Sequence, residues 1–136
     1  GRFLLIFESI WEPLEQRQDH MALYFDPSTC PAQFLYWLAA WLGLTIGPQT
    51  EEGRLRALLS EAVELHRWRG TRYGLTRLLE ICTGVTPLIS EVASNRALLH
   101  IRIALPPEAA VDRDAIERIV RANKPAHAGY LLEIIS

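Results

Sequence analysis

The chain has 136 residues, 49% hydrophobic and 22% charged, with 14 Lys and Arg against 16 Asp and Glu for a net charge of −2. At that length roughly two-thirds of the unfolded surface can be buried, so a real core is possible without disulfide or metal staples, and the composition argues against a disordered chain. The near-neutral balance, with Lys124 the only lysine, lacks both the electrostatic footprint of phosphate-backbone binding and a polybasic membrane patch.

The chain starts at Gly1 with no initiator Met, and its first residues are already in a hydrophobic pattern, as expected of a piece of a longer polypeptide. They show no basic segment followed by a long apolar run and a small-residue cleavage site. Phe3, Phe7, Ile10, Leu14, Met21 and Tyr24 lie on one 4-3-4-3 ladder broken only by Arg17, the a/d seam of helices that pack along another helix. Leu4 and Trp11 widen the stripe. Pro13 removes one helix hydrogen bond and clashes with the preceding turn, which predicts a kink or two shorter helices. Two readings are open: an amphipathic helix lying on its own core, or an assembly helix whose stripe pairs with other subunits.

Asp26-Pro27-Ser28-Thr29 is turn chemistry, because Pro27 disfavours helix at Asp26 while Ser and Thr offer caps. From Pro31 to Leu42 the sequence is apolar over most of a helix circumference, which predicts the central core helix with Trp37 and Trp41 packed inside. Gly43 is its stop. The longest apolar stretch, Phe34 to Leu44, is shorter than the about 20 residues a bilayer crossing takes. Thr50 can cap a helix in which Leu55, Leu58, Leu59, Ala62, Val63 and His66 keep period; Glu51 and Glu52 suit its positive end, and Arg67 and Arg69 its negative end. Gly70 breaks it, Thr71 caps the next, Leu75, Leu78, Leu79 and Cys82 form that helix's apolar side, and Gly84 ends it.

After Gly84 the period changes. Thr86 to Val92 reads as extended, and Leu99, Ile101, Ile103 and Leu105 alternate with His100 and Arg102 in a second strand. Asp112 can cap a helix with Ala115, Ile116, Ile119 and Val120 on its apolar face, and Gly129 to Ile135 is a last strand, placed parallel to the second by the crossover. The expected fold class is α+β: a helical part of about four helices, then a small β-β-α-β part. The expected division is 1–25 as an assembly helix, 26–84 as a helical domain and 85–136 as a small α/β domain.

Chemistry is sparse. There is no G-x-S-x-G, H-E-x-x-H, glycine-rich phosphate loop, EF-hand pattern or C-x-x-C. His20, His66, His100 and His127 are far apart and share no ligand spacing, and Cys30 and Cys82 have no Cys or His at a metal-ligand spacing, so no catalytic, metal or cofactor residues are assigned. A single disulfide between the two cysteines is open, beside the reading of two buried thiols. Glu51-Glu52 reads as helix-start charge, and Glu91 as a solvated strand residue or a partner for Arg69 or Arg72. The stretch from His66 to Leu75 interleaves arginine and aromatics across a glycine turn, which resembles a DNA-reading helix-turn-helix. From Glu51 to Glu80, however, six arginines face five glutamates, so a tight helix corner is the stronger reading and nucleic-acid binding the alternative.

The same stretch carries a family resemblance. Arg69-Gly70-Thr71, then Gly74-Leu75, Gly84 and Pro87-x-Ile89-x-Glu91 resemble the signature of the phage tail protein I family. Phe7-Glu8, Leu14-Glu15, Asp26-Pro27, Phe34-Leu35 and Leu38-Ala39-x-Trp41-Leu42-x-Leu44 fit it as well, and the likeness weakens after Pro106. The resemblance implies a structural baseplate wedge subunit of a contractile tail or injection particle, not an enzyme and without cofactors. In such tails these subunits join two copies of a companion baseplate protein through a helical bundle, and six such wedges link the central hub to the sheath. It further implies assembly in the bacterial cytoplasm and no membrane partner.

Overall fold

The protein is described by a computed structural model over residues 2–47, 50–92, 95–106 and 112–135, with the side chains of residues 2, 3, 16–19, 95 and 96 outside the description. Phe3 and Arg17 of the predicted ladder are therefore placed by backbone alone. Elements follow in the order α1 (Arg2–Asp19), α2 (Met21–Phe25), α3 (Ala32–Trp41), α4 (Glu52–Ser60), α5 (Ala62–Arg67), α6 (Arg72–Thr83), β1 (Leu88–Val92), β2 (Asn95–Ala104), α7 (Arg113–Asn123) and β3 (Gly129–Ile135). The fold is α+β, with helices first and a small sheet with one helix last.

The three-stranded sheet has the order β1-β2-β3, antiparallel between β1 and β2 and parallel between β2 and β3. Its register pairs Ile101 with Ile89 on one side and Leu132 on the other, so the alternating apolar residues of all three strands share one face. That face joins Leu58, Leu65, Leu75, Leu78 and Leu79 of the helices and Ile116, Ile119 and Val120 of α7 in a single buried cluster. A second cluster, Cys30, Leu35, Leu38, Ala39, Leu55 and Leu59, fastens α3 to α4. Chain segments 26–84 and 85–136 thus contribute to the same core.

Local signals explain most boundaries. The Thr71 hydroxyl accepts from the Gly74 amide at 3.1 Å and caps α6; Gly84 closes that helix at φ +76°. Asp112 accepts from the Asp114 amide at 3.0 Å and caps α7. Asp26 accepts from the amide and hydroxyl of Ser28 at 2.8 and 2.7 Å, making the turn between α2 and α3, and these bonds lower its carboxyl pKa.

Four expectations are corrected. First, α1 is not divided at Pro13; the break falls at His20. Pro13 lies on an exposed helix, where water can serve the carbonyl it leaves unbonded. Second, Glu51 rather than Thr50 stands at the N-cap of α4, and the Thr50 hydroxyl turns back to the Gly47 carbonyl. Third, the predicted continuous helix after residue 50 breaks at Glu61 into α4 and α5, a change of register that leaves Val63 80% exposed. Fourth, α3 is not the central helix. It buries Leu35, Leu38 and Ala39, but Trp37 and Trp41 stand 48% and 69% exposed on its other side. The central position belongs to α6, which buries Leu75, Leu78, Leu79 and Ile81 and touches α4, α5, α7 and β1. A narrow strip of leucine and alanine lets α3 lie close on α4, which the bulkier tryptophans would prevent.

Candidate assembly interface

The eighteen residues of α1 span about 27 Å, and every described side chain on it is exposed. Leu4, Ile6, Phe7, Ile10, Trp11 and Leu14 are 52–64% exposed. At 3.6 residues per turn they fall on one broad stripe covering nearly half of the helix circumference. Within its own chain, α1 touches chiefly α2. Exposed apolar stripes of that size are typical of interaction surfaces.

The structure carries part of the predicted ladder across a break. Phe7, Ile10 and Leu14 lie on α1, whereas Met21 and Tyr24 lie on α2, 52% and 46% exposed. Tyr24 meets Phe34 edge-on with ring centroids 5.9 Å apart. From Phe34 the aromatic contact continues along α3 to Trp37, stacked at 4.5 Å, and from there to Trp41 at 5.7 Å. From a half-buried Phe34 this row leads to the exposed Trp37 and Trp41 and extends the apolar surface from α2 onto α3. Its signal was present in the sequence as Phe34, Trp37 and Trp41 at helical spacing, beside the strip of Leu35, Leu38 and Ala39.

The motif at 69–75 forms a compact corner between α5 and α6. Gly70 adopts φ +75°, the Thr71 hydroxyl donates to the Trp68 carbonyl at 2.7 Å, and Trp68 meets Tyr73 edge-on at 5.5 Å. Leu75 is fully buried beneath it. Arg69, weighed above as a partner for Glu91, is exposed and ties the corner to no carboxylate or carbonyl. Those ties come from arginines that the sequence reading did not single out. Arg77 forks onto Glu61 at 2.7 and 2.5 Å and reaches Glu80 at 2.8 Å; Arg54 donates to the Cys82 carbonyl at 2.6 Å; Arg56 donates to the Pro27 carbonyl at 2.6 Å. The last bond gives the Asp26-Pro27 turn its hold on α4. Glu91 is exposed on β1 and makes no ion pair.

Among the described residues no group of three or more His, Cys, Asp or Glu converges as a metal site, and no helix is long and apolar enough to cross a membrane. His66 donates to the Leu42 carbonyl at 2.7 Å, and His100 lies 3.1 Å from Glu133 on the outer face of the sheet. Cys30 and Cys82 are free thiols.

A search of curated proteins returns no match. A family model described as phage tail protein (Tail_P2_I) matches residues 3–127, a span that takes in the open α1 stripe, the Asp26-Pro27 turn, the glycine corner and most of the β-β-α-β part. The chain therefore belongs to the phage tail protein family Tail_P2_I, and its place is in a phage tail particle.

Proposed function

We propose that this protein is a structural wedge subunit of the baseplate of a contractile tail or phage-derived injection system, and that it joins companion baseplate proteins around the central hub. Residues 1–25 serve as the assembly helix, with Phe3, Phe7, Ile10, Leu14, Met21 and Tyr24 in the bundle seam. Residues 26–84 and 85–136 form the bracket that carries it. One observation supports this above all: the apolar stripe of α1 is open along its length and is not used by the chain's own core. A stripe this broad suits more than one partner helix, since a two-stranded seam needs only its a and d positions.

The rest of the molecule suits a bracket. Its core is continuous from α4 to the sheet, so in this reading residues 26–136 move as one body when the wedge shifts on firing. On the open sheet face Leu88, Leu131 and Ile135 are 55%, 52% and 48% exposed, and β3 is an edge strand, which gives other components a second place to dock. Assembly takes place in the bacterial cytoplasm, before the particle is released.

Co-expression with the neighbouring baseplate protein, followed by native mass spectrometry, tests the reading. The expected species holds one copy of this chain and two of the companion. A stable lone monomer that ignores the companion overturns it.

A further inference from the structure

We infer that the partner helix seated along the Glu8–Glu12–Glu15 side of α1 comes from a different polypeptide and carries a row of Lys or Arg beside its own apolar stripe. The inference rests on the bundle reading above and adds the chemistry of the partner to it. Leu4, Phe7 and Trp11 on one side and Glu8, Glu12 and Glu15 on the other line a shallow groove of about 510 Å³ on α1. One wall is apolar and the other is a row of carboxylates.

Among the described residues nothing neutralises that row. Glu8 and Glu12 make no hydrogen bond or ion pair, and Glu15 only accepts from the Trp11 indole at 2.5 Å. No Lys or Arg stands three or four residues from any of the three. Their helical neighbours are instead each other: Glu8 with Glu12, Glu12 with Glu15, and Glu15 with Asp19. Like charges at these spacings destabilise a helix. The glutamates of α4 and α5 behave differently, since Glu51, Glu52, Glu61 and Glu64 each have an arginine of the chain within 4 Å. No described cation of the chain relieves the self-repelling row on α1, whereas cations brought from outside would, and flanking charges of this kind select partner and register in helical bundles. A second copy of α1 in the same groove would bring its own carboxylates against these, which makes self-pairing the disfavoured occupant.

The test uses the complex with the neighbouring baseplate protein, measured in low and high salt for four proteins: wild type, E8Q/E12Q/E15Q, E8K/E12K/E15K and I10S/L14S. Melting of each variant alone checks the fold, and because the substituted side chains are exposed the four should melt alike. Wild-type binding should weaken with salt; the Gln variant should bind roughly tenfold less tightly with little salt dependence; the Lys variant should bind about a hundredfold less tightly or not at all. I10S/L14S should abolish the complex. If I10S/L14S abolishes it while the Lys variant binds like wild type, the basic flank is wrong and the bundle stands. If I10S/L14S has no effect, or wild type forms no complex, the bundle reading fails and takes this inference with it. A homodimer of this chain, lost in I10S/L14S and strengthened in the Lys or Gln variant, identifies a second copy as the occupant and overturns the proposal.

Discussion

Gly74 lies so close to the backbone of Trp68 that a Cβ added to it would sit 2.2 Å from the Trp68 carbonyl oxygen and 2.8 Å from its carbon. Both contacts are with backbone, so no side chain can swing away to make room. The same carbonyl accepts from the hydroxyl of Thr71, whose oxygen in turn accepts from the amide of Gly74. The corner is therefore closed on itself, and Gly74→Ala must open it. We expect a loss of about 1–3 kcal/mol in urea unfolding, the range for overpacking a close-packed site. Gly53→Ala serves as the contrast. Its Cβ meets nothing within 4 Å inside α4, and alanine there should add about 0.5 kcal/mol.

The two faces of α3 should answer oppositely to truncation. Leu38 is 4% exposed in the cluster with Leu55 and Leu59, so Leu38→Ala should cost about 3 kcal/mol. Trp41 is 69% exposed and touches Trp37, so Trp41→Ala should cost under about 1 kcal/mol despite removing the larger side chain. Equal losses from the two substitutions in denaturant titrations would mean that Trp41 packs inside.

Acid should loosen the junction of α5, α6 and β1. The Arg77 fork holds the Glu61 carboxyl below its ordinary value of 4.5. The Thr86 hydroxyl first, and Arg77 second, do the same for Glu80. A carboxyl with a lower pKa folded than unfolded adds stability at pH above its unfolded value, and that stability drains away as pH falls through the folded value. Melting temperature should therefore drop from about pH 5 downward. Glu61→Gln should flatten that limb while lowering the plateau near neutrality.

Both thiols should be silent in the folded protein. Cys30 is 1% exposed, and burial raises its pKa; burial pushes the Cys82 thiol up to about 11. Thiolate is the reactive form, so at pH 8 an aromatic disulfide reagent should label neither at an appreciable rate. Unfolding in urea without reductant should release two reactive thiols per chain, and a count of zero there would reveal a disulfide.

Much of the fold could be read before any coordinates. The alternation at Leu99, Ile101 and Ile103, the caps at Thr71 and Asp112 and the positive-φ exit at Gly84 depend on residues within about four positions of one another, and each stands where the sequence reading put it. The parallel pairing of β2 with β3 followed from the helical crossover between them. The acidic row of α1 was equally visible as letters, but it had no meaning until the adjoining apolar stripe was seen to be open.

Other features were out of reach because they depend on which surfaces compete for a limited core. The sequence of α3 offered apolar residues all round, and only its packing on α4 chose leucine and alanine over tryptophan. The fork of Arg77 onto Glu61 links positions 16 apart, brought together by the corner at Gly70, a proximity no local spacing encodes, whereas Arg77 to Glu80 is an ordinary helical spacing. Sequence alone determined most of the places where this chain turns, caps and changes period, the breaks at His20 and Glu61 and the cap of α4 excepted, since those are short-range preferences of backbone and neighbouring side chain. Tertiary structure decided which apolar faces are spent on the chain's own interior and which, α1 foremost, remain uncovered, because burial is a contest among all the elements at once.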